Sequence, residues 1–124
     1  MIKNGVRVAI GTDYNPGSSV YNNQALMMNY AMMFGKVSLE NAFKGVTRNA
    51  ALSLNRKKVG LIEEGAQADL LLWQLNDISQ IPYHNTESAQ FITHIIKKGR
   101  VFSKLPKPKS ARKPRTNKEE KEKK

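Results

Sequence analysis

Asp13 follows a short apolar run, Val6, Val8, Ala9 and Ile10, inside the stretch Gly11-Thr12-Asp13-Tyr14-Asn15-Pro16-Gly17-Ser18-Ser19. A carboxylate at the C-terminal end of a buried strand is costly unless a metal or a cation faces it. There it can ligate a metal or act as a general base. The same residues also read as a plain turn, because Pro16 fixes φ and Gly17 accepts φ > 0. Both readings of Asp13 stand at this point. Asn15, Gly17, Ser18 and Ser19 could hydrogen-bond an anionic or amide-bearing ligand through side chains and close backbone N–H groups, or form a solvated loop.

The other reactive groups are sparse. His84 and His94 are the two histidines, and cysteine is absent. No thiolate site or disulfide framework is available, and two histidines ten residues apart do not make a zinc site by themselves. His94 lies in an apolar run and reads as a structural or surface-face residue; His84 sits beside Pro82 and Tyr83 in a polar stretch. Met27, Met28, Met32 and Met33 read as core filling rather than a promiscuous groove, and Glu63 and Glu64 as surface charge.

Several elements must position these groups. Arg7 to Thr12 reads as a strand covered on both faces. Ala25 to Phe34 is apolar nearly all round and reads as a buried helix. Ser38 is an N-cap with Glu40 in the first turn, opening a helix that runs to about Leu54, where Arg56, Lys57 and Lys58 suit the helix dipole. Gly60 to Gly65 reads as a short strand and turn, and Ala68 to Trp73 as a continuous apolar strand. Gln80 to Ser88 reads as a polar loop. Phe91 to Lys97 and Arg100 to Phe102 form a hairpin around Lys98-Gly99. A single N-terminal strand with no strand neighbour leaves open edges, so that segment is expected to belong inside something larger.

Charge divides the chain. The 124 residues carry a net charge of +11, and Ser103 to Lys124 holds ten Lys or Arg against three Glu. That tail, with Pro106, Pro108 and Pro114, has too little apolar surface to fold and reads as a disordered basic tail. It lacks the interleaved aromatics of a nucleic-acid binder, so nucleic acid is not expected as a partner. No apolar run approaches the roughly 20 residues of a membrane span, and Met1-Ile2-Lys3-Asn4 is not a signal peptide. The expected location is the cytoplasm.

The loop Gly11 to Ser19 resembles the loop after the last barrel strand in the imidazolonepropionase family of amidohydrolases. The likeness continues through Gly45-Val46-Thr47-Arg48-Asn49-Ala50-Ala51, Gly60 to Gly65, Ala68 to Trp73, Ile81-Pro82-Tyr83-His84 and Lys98-Gly99-Arg100, covering about residues 5 to 102. The resemblance implies an α/β fold, the C-terminal piece of a TIM-type (β/α)8 barrel with part of a small β-sandwich. Residues 1–58 would be the last barrel strand, ligand loop and helices, 59–102 the sandwich strands, and 103–124 the tail. It implies hydrolysis of 4-imidazolone-5-propanoate to N-formimidoyl-L-glutamate in histidine degradation, with one Zn2+ or Fe3+ ion and a possible homodimer as the full-length enzyme. By motif match Asp13 would be the catalytic and metal-ligating carboxylate, with Asn15, Gly17 and Ser18 binding substrate.

The chain also departs from the family. The His-x-His pair, the further metal histidine and the acid/base residues are missing, so the remaining metal ligands are absent from this chain. Asn85-Thr86 follows His84 where the family has an aromatic residue and glycine. The expectation is a C-terminal fragment, inactive alone. Two alternatives remain: another amidohydrolase acting on C–N bonds, such as a deaminase or a dihydroorotase-like enzyme, or a non-catalytic truncated scaffold whose basic tail binds a partner.

Overall fold

A computed structural model describes residues 2–104. The element order is helical first and sheet last. Helices α1 (Gln24–Met33), α2 (Leu39–Val46) and α3 (Arg48–Ser53) precede strand β1 (Leu70–Trp73), helix α4 (Gln80–His84), and the hairpin β2 (Ile92–Lys97) and β3 (Arg100–Lys104). Short 3-10 turns cover Ile2–Asn4 and Asn85–Phe91.

Local sequence explains where the helices start and stop. The Asn23 side chain accepts from Leu26 N–H at 2.9 Å, and Ser38 Oγ accepts from Asn41 N–H at 3.3 Å, each satisfying a donor the first turn leaves free. Asn55, at φ +56°, ends α3: its N–H reaches the Leu52 carbonyl and Arg56 N–H the Ala51 carbonyl. That pair of bonds satisfies the last orphan carbonyls around a left-handed residue.

The helix expected from Ser38 to Leu54 is two helices, broken at Thr47. The Thr47 hydroxyl bonds back to the Phe43 carbonyl at 2.7 Å, a contact that bends helices. Gly60, at φ +77°, is packed against the break: a Cβ there would lie 2.7 Å from the Thr47 carbonyl carbon. A kink and a glycine from a later loop therefore fit each other. The stretch Gly60 to Gly65 is that loop and not the expected strand.

The strand expected at Arg7 to Thr12 is absent as well. The segment runs without regular structure, exposed or half-buried, because no neighbouring strand supplies a ladder. Single bonds tie it to the helices instead: Ile10 N–H to the Gly45 carbonyl at 3.0 Å, Asn49 Nδ2 to the Val8 carbonyl at 3.0 Å, and Gln24 Nε2 to the Ile10 carbonyl at 2.7 Å. Gly45 permits this approach, since a Cβ would fall 2.7 Å from Ile10 Cδ1.

The sheet is antiparallel, in the order β1-β2-β3. Leu70 pairs with Ile96 and Leu72 with His94, and a bulge follows before Trp73 meets Ile92. A second bulge between Ile95 and Ile96 leaves Phe102 without a partner on β2. The expected strands at 68–73 and 91–97 and the hairpin at Lys98-Gly99 are therefore present. β3 reaches Lys104, two residues into the stretch assigned to the tail; the rest of that tail, and the disorder expected of it, lies outside the described residues.

Gln80 to Ser88, expected as a loop, is α4 and the start of the second 3-10 turn. Asp77 Oδ1 accepts from Ser79 N–H at 2.7 Å and starts the helix. Pro82 falls in the first turn, where its missing N–H costs nothing. Ile81 and Pro82 are buried, and Asn29 Nδ2 of α1 bonds the Pro82 carbonyl at 3.1 Å. The core is small: Ala25, Leu26, Met28, Ala42, Ala51 and Ile81 are its buried apolar residues. Met33 and Phe34 of the helix expected to be buried all round are exposed instead. Among the described residues no helix is long and apolar enough to cross a membrane.

Candidate functional site

Asp13 lies in an exposed loop whose polar atoms bond chiefly to one another. Asn15 is its centre. Its Oδ1 accepts from Gly17 N–H and Ser18 N–H, both at 2.8 Å, while its Nδ2 donates to the Asp13 carbonyl at 2.5 Å and to Ser18 Oγ at 3.1 Å. Asn15 N–H reaches the Ser19 carbonyl at 2.9 Å, and Ser19 Oγ donates to the Thr12 carbonyl at 2.8 Å. The turn expected at Asn15 to Ser19 is therefore present, closed as an isolated antiparallel bridge.

The strained residue is not the one expected. Asp13 has φ +50°, whereas Gly17 is outside the left-handed region. What Gly17 provides is room, since a Cβ there would come 3.2 Å from Asn15 Oδ1. Asp and Asn enter the left-handed region more readily than other side chains. With the backbone so turned, the Asp13 carboxylate is exposed and makes no hydrogen bond or ion pair among the described residues.

Asp69 has the opposite surroundings. Its Oδ2 accepts from Lys97 Nζ at 2.5 Å and from Gln67 Nε2 at 2.7 Å, and its Oδ1 from Lys98 N–H at 2.8 Å. These donors, the Lys97 ammonium first and the Lys98 amide next, hold the carboxyl at about 2, below the usual 3.8. Gly99 N–H reaches the Ala68 carbonyl at 2.9 Å beside it. Ala68-Asp69-Leu70 and Lys98-Gly99-Arg100, read separately in the sequence, are two halves of one contact that fastens the hairpin turn to the start of β1.

The histidines take no part at Asp13. His84 stacks at a tilt on Phe91, ring centroids 4.5 Å apart, and His94 Nδ1 is 3.1 Å from Thr93 Oγ1 within β2. No group of three or more His, Cys, Asp or Glu side chains among the described residues could hold a metal ion. Asp13 fits a metal as one ligand and no more. A cleft of about 850 Å³ opens between the helices and the sheet, walled by Met28, Phe43, Leu61, Leu70, Trp73 and Ile81, and Asp13 is not on it.

The amidohydrolase family model matches residues 1–102, which takes in the Asp13 loop, the helices and most of the sheet. The chain belongs to the amidohydrolase family. It is 44% identical over 81 residues to the imidazolonepropionase of Idiomarina loihiensis, covering 65% of this chain and 20% of that protein. It is 40% identical over 104 residues to the imidazolonepropionase of Treponema denticola, covering 83% of this chain and 25% of that protein. Among solved structures it resembles A. niger ochratoxinase, with TM-score 0.67 and 32% identity, covering 82% of this chain and 23% of that one. This amidohydrolase chain thus spans a quarter or less of the length of these relatives.

Reading the sequence singled out Asp13, Asn15, Gly17 and Ser18, and the fold gathers all four into one loop. Three roles were missed. Ser19 and Thr12 brace the Asp13 backbone, and Asp69 fastens the hairpin. A signal for the first two existed in the hydroxyls at the two ends of the loop, Thr12 beside Asp13 and Ser19 six residues on. None existed for the pairing of Asp69 with Lys98, which are distant in sequence and meet only through the β1–β2 register.

Proposed function

We propose that this chain supplies the carboxylate-bearing part of an imidazolonepropionase, which opens the ring of 4-imidazolone-5-propanoate to N-formimidoyl-L-glutamate. The observation that carries the reading is Asp13, an exposed carboxylate without a partner among the described residues, held at positive φ in a loop closed on itself. The identity to two imidazolonepropionases, 44% and 40%, supports the choice of substrate. In this reading residues 1–58 are the last barrel strand, ligand loop and helices of a (β/α)8 barrel, residues 59–102 belong to a β-sandwich, and 103–124 form a basic tail.

Asp13 would be one ligand of a single Zn2+ or Fe3+ ion, whose other ligands the described residues do not provide. The ion, when bound, supplies the polarisation that makes water reactive at neutral pH. Asp13 takes the proton of the attacking water, which its free lone pairs permit. Asn15 and Gly17, through their main chain, would contact the N-formimidoyl-L-glutamate end of the ligand, and Ser18 the imidazolone propionate. The working enzyme is a cytoplasmic homodimer in this reading, acting on a small molecule.

The test is a chimera in which this chain replaces the matching segment of the Treponema denticola imidazolonepropionase. Ring opening by the chimera, lost in Asp13→Asn, is the expected result. If the Asp13→Asn chimera is folded, metal-loaded and turns over as fast as the unsubstituted one, the assignment is overturned. The likeness to A. niger ochratoxinase supports a second reading, a different activity of the amidohydrolase family. A chimera that ignores imidazolone propionate but hydrolyses other cyclic or exocyclic amides, with the same dependence on Asp13, would favour it.

A further inference from the structure

A residue's φ and ψ are fixed by the two rigid peptide planes that flank it. Both planes beside Asp13 are held by side chains. On the N-terminal side, the Thr12 carbonyl accepts from Ser19 Oγ at 2.8 Å. On the C-terminal side, the Asp13 carbonyl accepts from Asn15 Nδ2 at 2.5 Å, and Tyr14 N–H at the other end of that same plane donates to Thr12 Oγ1 at 3.3 Å. Between these braces Asp13 sits at φ +50°, a sparsely populated conformation of the kind that persists where the surroundings over-determine it.

The Asn15 amide has two N–H donors and two acceptor lone pairs. Asp13 O and Ser18 Oγ take the donors, and Gly17 N–H and Ser18 N–H take the lone pairs. Nothing on that side chain is left for a ligand. We infer that Asn15 and Ser19 are positioning residues for Asp13, bracing its backbone so that the carboxylate stands free, and that the Asn15 side chain does not contact substrate. This rests on the reading of Asp13 as the working carboxylate.

Two measurements test it. In the chimera, Asn15→Ala is expected to lower kcat by about 10²-fold, the loss typical of a misplaced reacting group, with KM unchanged to within about twofold. Ser19→Ala lowers kcat by a smaller factor, and Ser19→Thr, which keeps the hydroxyl, restores it. In the intact 124-residue chain, NMR of Asn15→Ala is expected to move the Asp13 amide-to-Hα coupling from its left-handed to its extended value. The Gly17 and Ser18 amides lose exchange protection in the same variant. A raised KM with kcat intact would make Asn15 a substrate contact and overturn the inference, as would an Asp13 coupling that stays put in both Asn15→Ala and Ser19→Ala. Should Asp13→Asn leave turnover intact, the catalytic reading fails alone, and the NMR coupling still decides whether the braces hold the backbone.

Discussion

Asp13 and Asp69 are the same residue type put to opposite ends. Every hydrogen bond near Asp13 is aimed at main chain or at neighbouring side chains, and its carboxylate is left exposed and without a partner among the described residues. At Asp69 the carboxylate itself accepts from Lys97, Lys98 and Gln67, and the backbone is in an ordinary conformation. A carboxylate saturated by three donors is a fastener, because any ligand must first displace them. One held by its backbone is ready to meet a metal, a proton or a substrate. The difference shows how a fold leaves one acid free and consumes another.

Exchanging the acid for its amide separates the two roles. Asp13→Asn in the chimera is expected to cut turnover by about 10³-fold, the scale of a lost general base. In the chain alone the same substitution should leave the melting temperature unchanged, since the carboxylate makes no hydrogen bond or ion pair among the described residues. Asp69→Asn should leave kcat within about threefold and act on stability instead. A large kcat loss from Asp69→Asn, or a large drop in melting temperature from Asp13→Asn, would break the contrast.

Removing all three bonds at Asp69 should come next in size. Asp69→Ala in the intact chain or the chimera is expected to lower the melting temperature on the order of 5 °C, through the freed Lys98 amide and the loosened hairpin. Calorimetry at pH 7 measures it. High salt should shrink the Lys97 part of the effect, since that lysine is 57% exposed, and leave the amide part.

How much of this was legible in the sequence follows from the range of each interaction. The Asn15 to Ser19 turn, the Ser38 cap and the Lys98-Gly99 hairpin depend on residues a few positions apart, and all three are present. Arg7 to Thr12 looked like a strand because local composition cannot report whether a neighbouring strand exists. Gln80 to Ser88 looked like a loop because a proline and polar residues hide a helix that a buried Ile81 and the Asn29 bond hold in place. Gly60 packs against the break at Thr47, and the Lys98 N–H meets Asp69. Contacts of that kind become visible only when the chain is folded.

Acid titrates the contrast between the two aspartates. Asp69 is held at about 2 in the folded chain against an ordinary 3.8. A carboxyl whose native pKa is depressed contributes stability that is fully present above the unfolded value and is lost as pH falls through the folded one. Denaturant midpoints should therefore decline between about pH 4 and pH 2, and Asp69→Asn should flatten that part of the decline. Glu40, lowered by its bond to Lys44, and Asp77, lowered by its bonds to Ser79, decline in the same direction and set the slope that remains. An unchanged acid slope in Asp69→Asn would mean that Lys97 and Lys98 do not hold the carboxylate in solution.

The smallest expected effect ranks the donors at Asp69. The Lys97 ammonium contributes most to the lowered pKa, the Lys98 amide next, and Gln67 less than either. Lys97→Met should therefore raise the Asp69 pKa toward 3.8 by more than Gln67→Ala does, with each carboxyl followed by NMR through the acid range. Side-chain substitution at Lys98 should move it least, because the donor there is the backbone N–H, which every residue except proline keeps. If Gln67→Ala moved Asp69 as far as Lys97→Met, the ammonium would be acting as a surface charge screened by water. The hairpin would then be fastened by the two neutral donors, the Lys98 amide and the Gln67 side chain, and those alone would set Asp69 apart from Asp13.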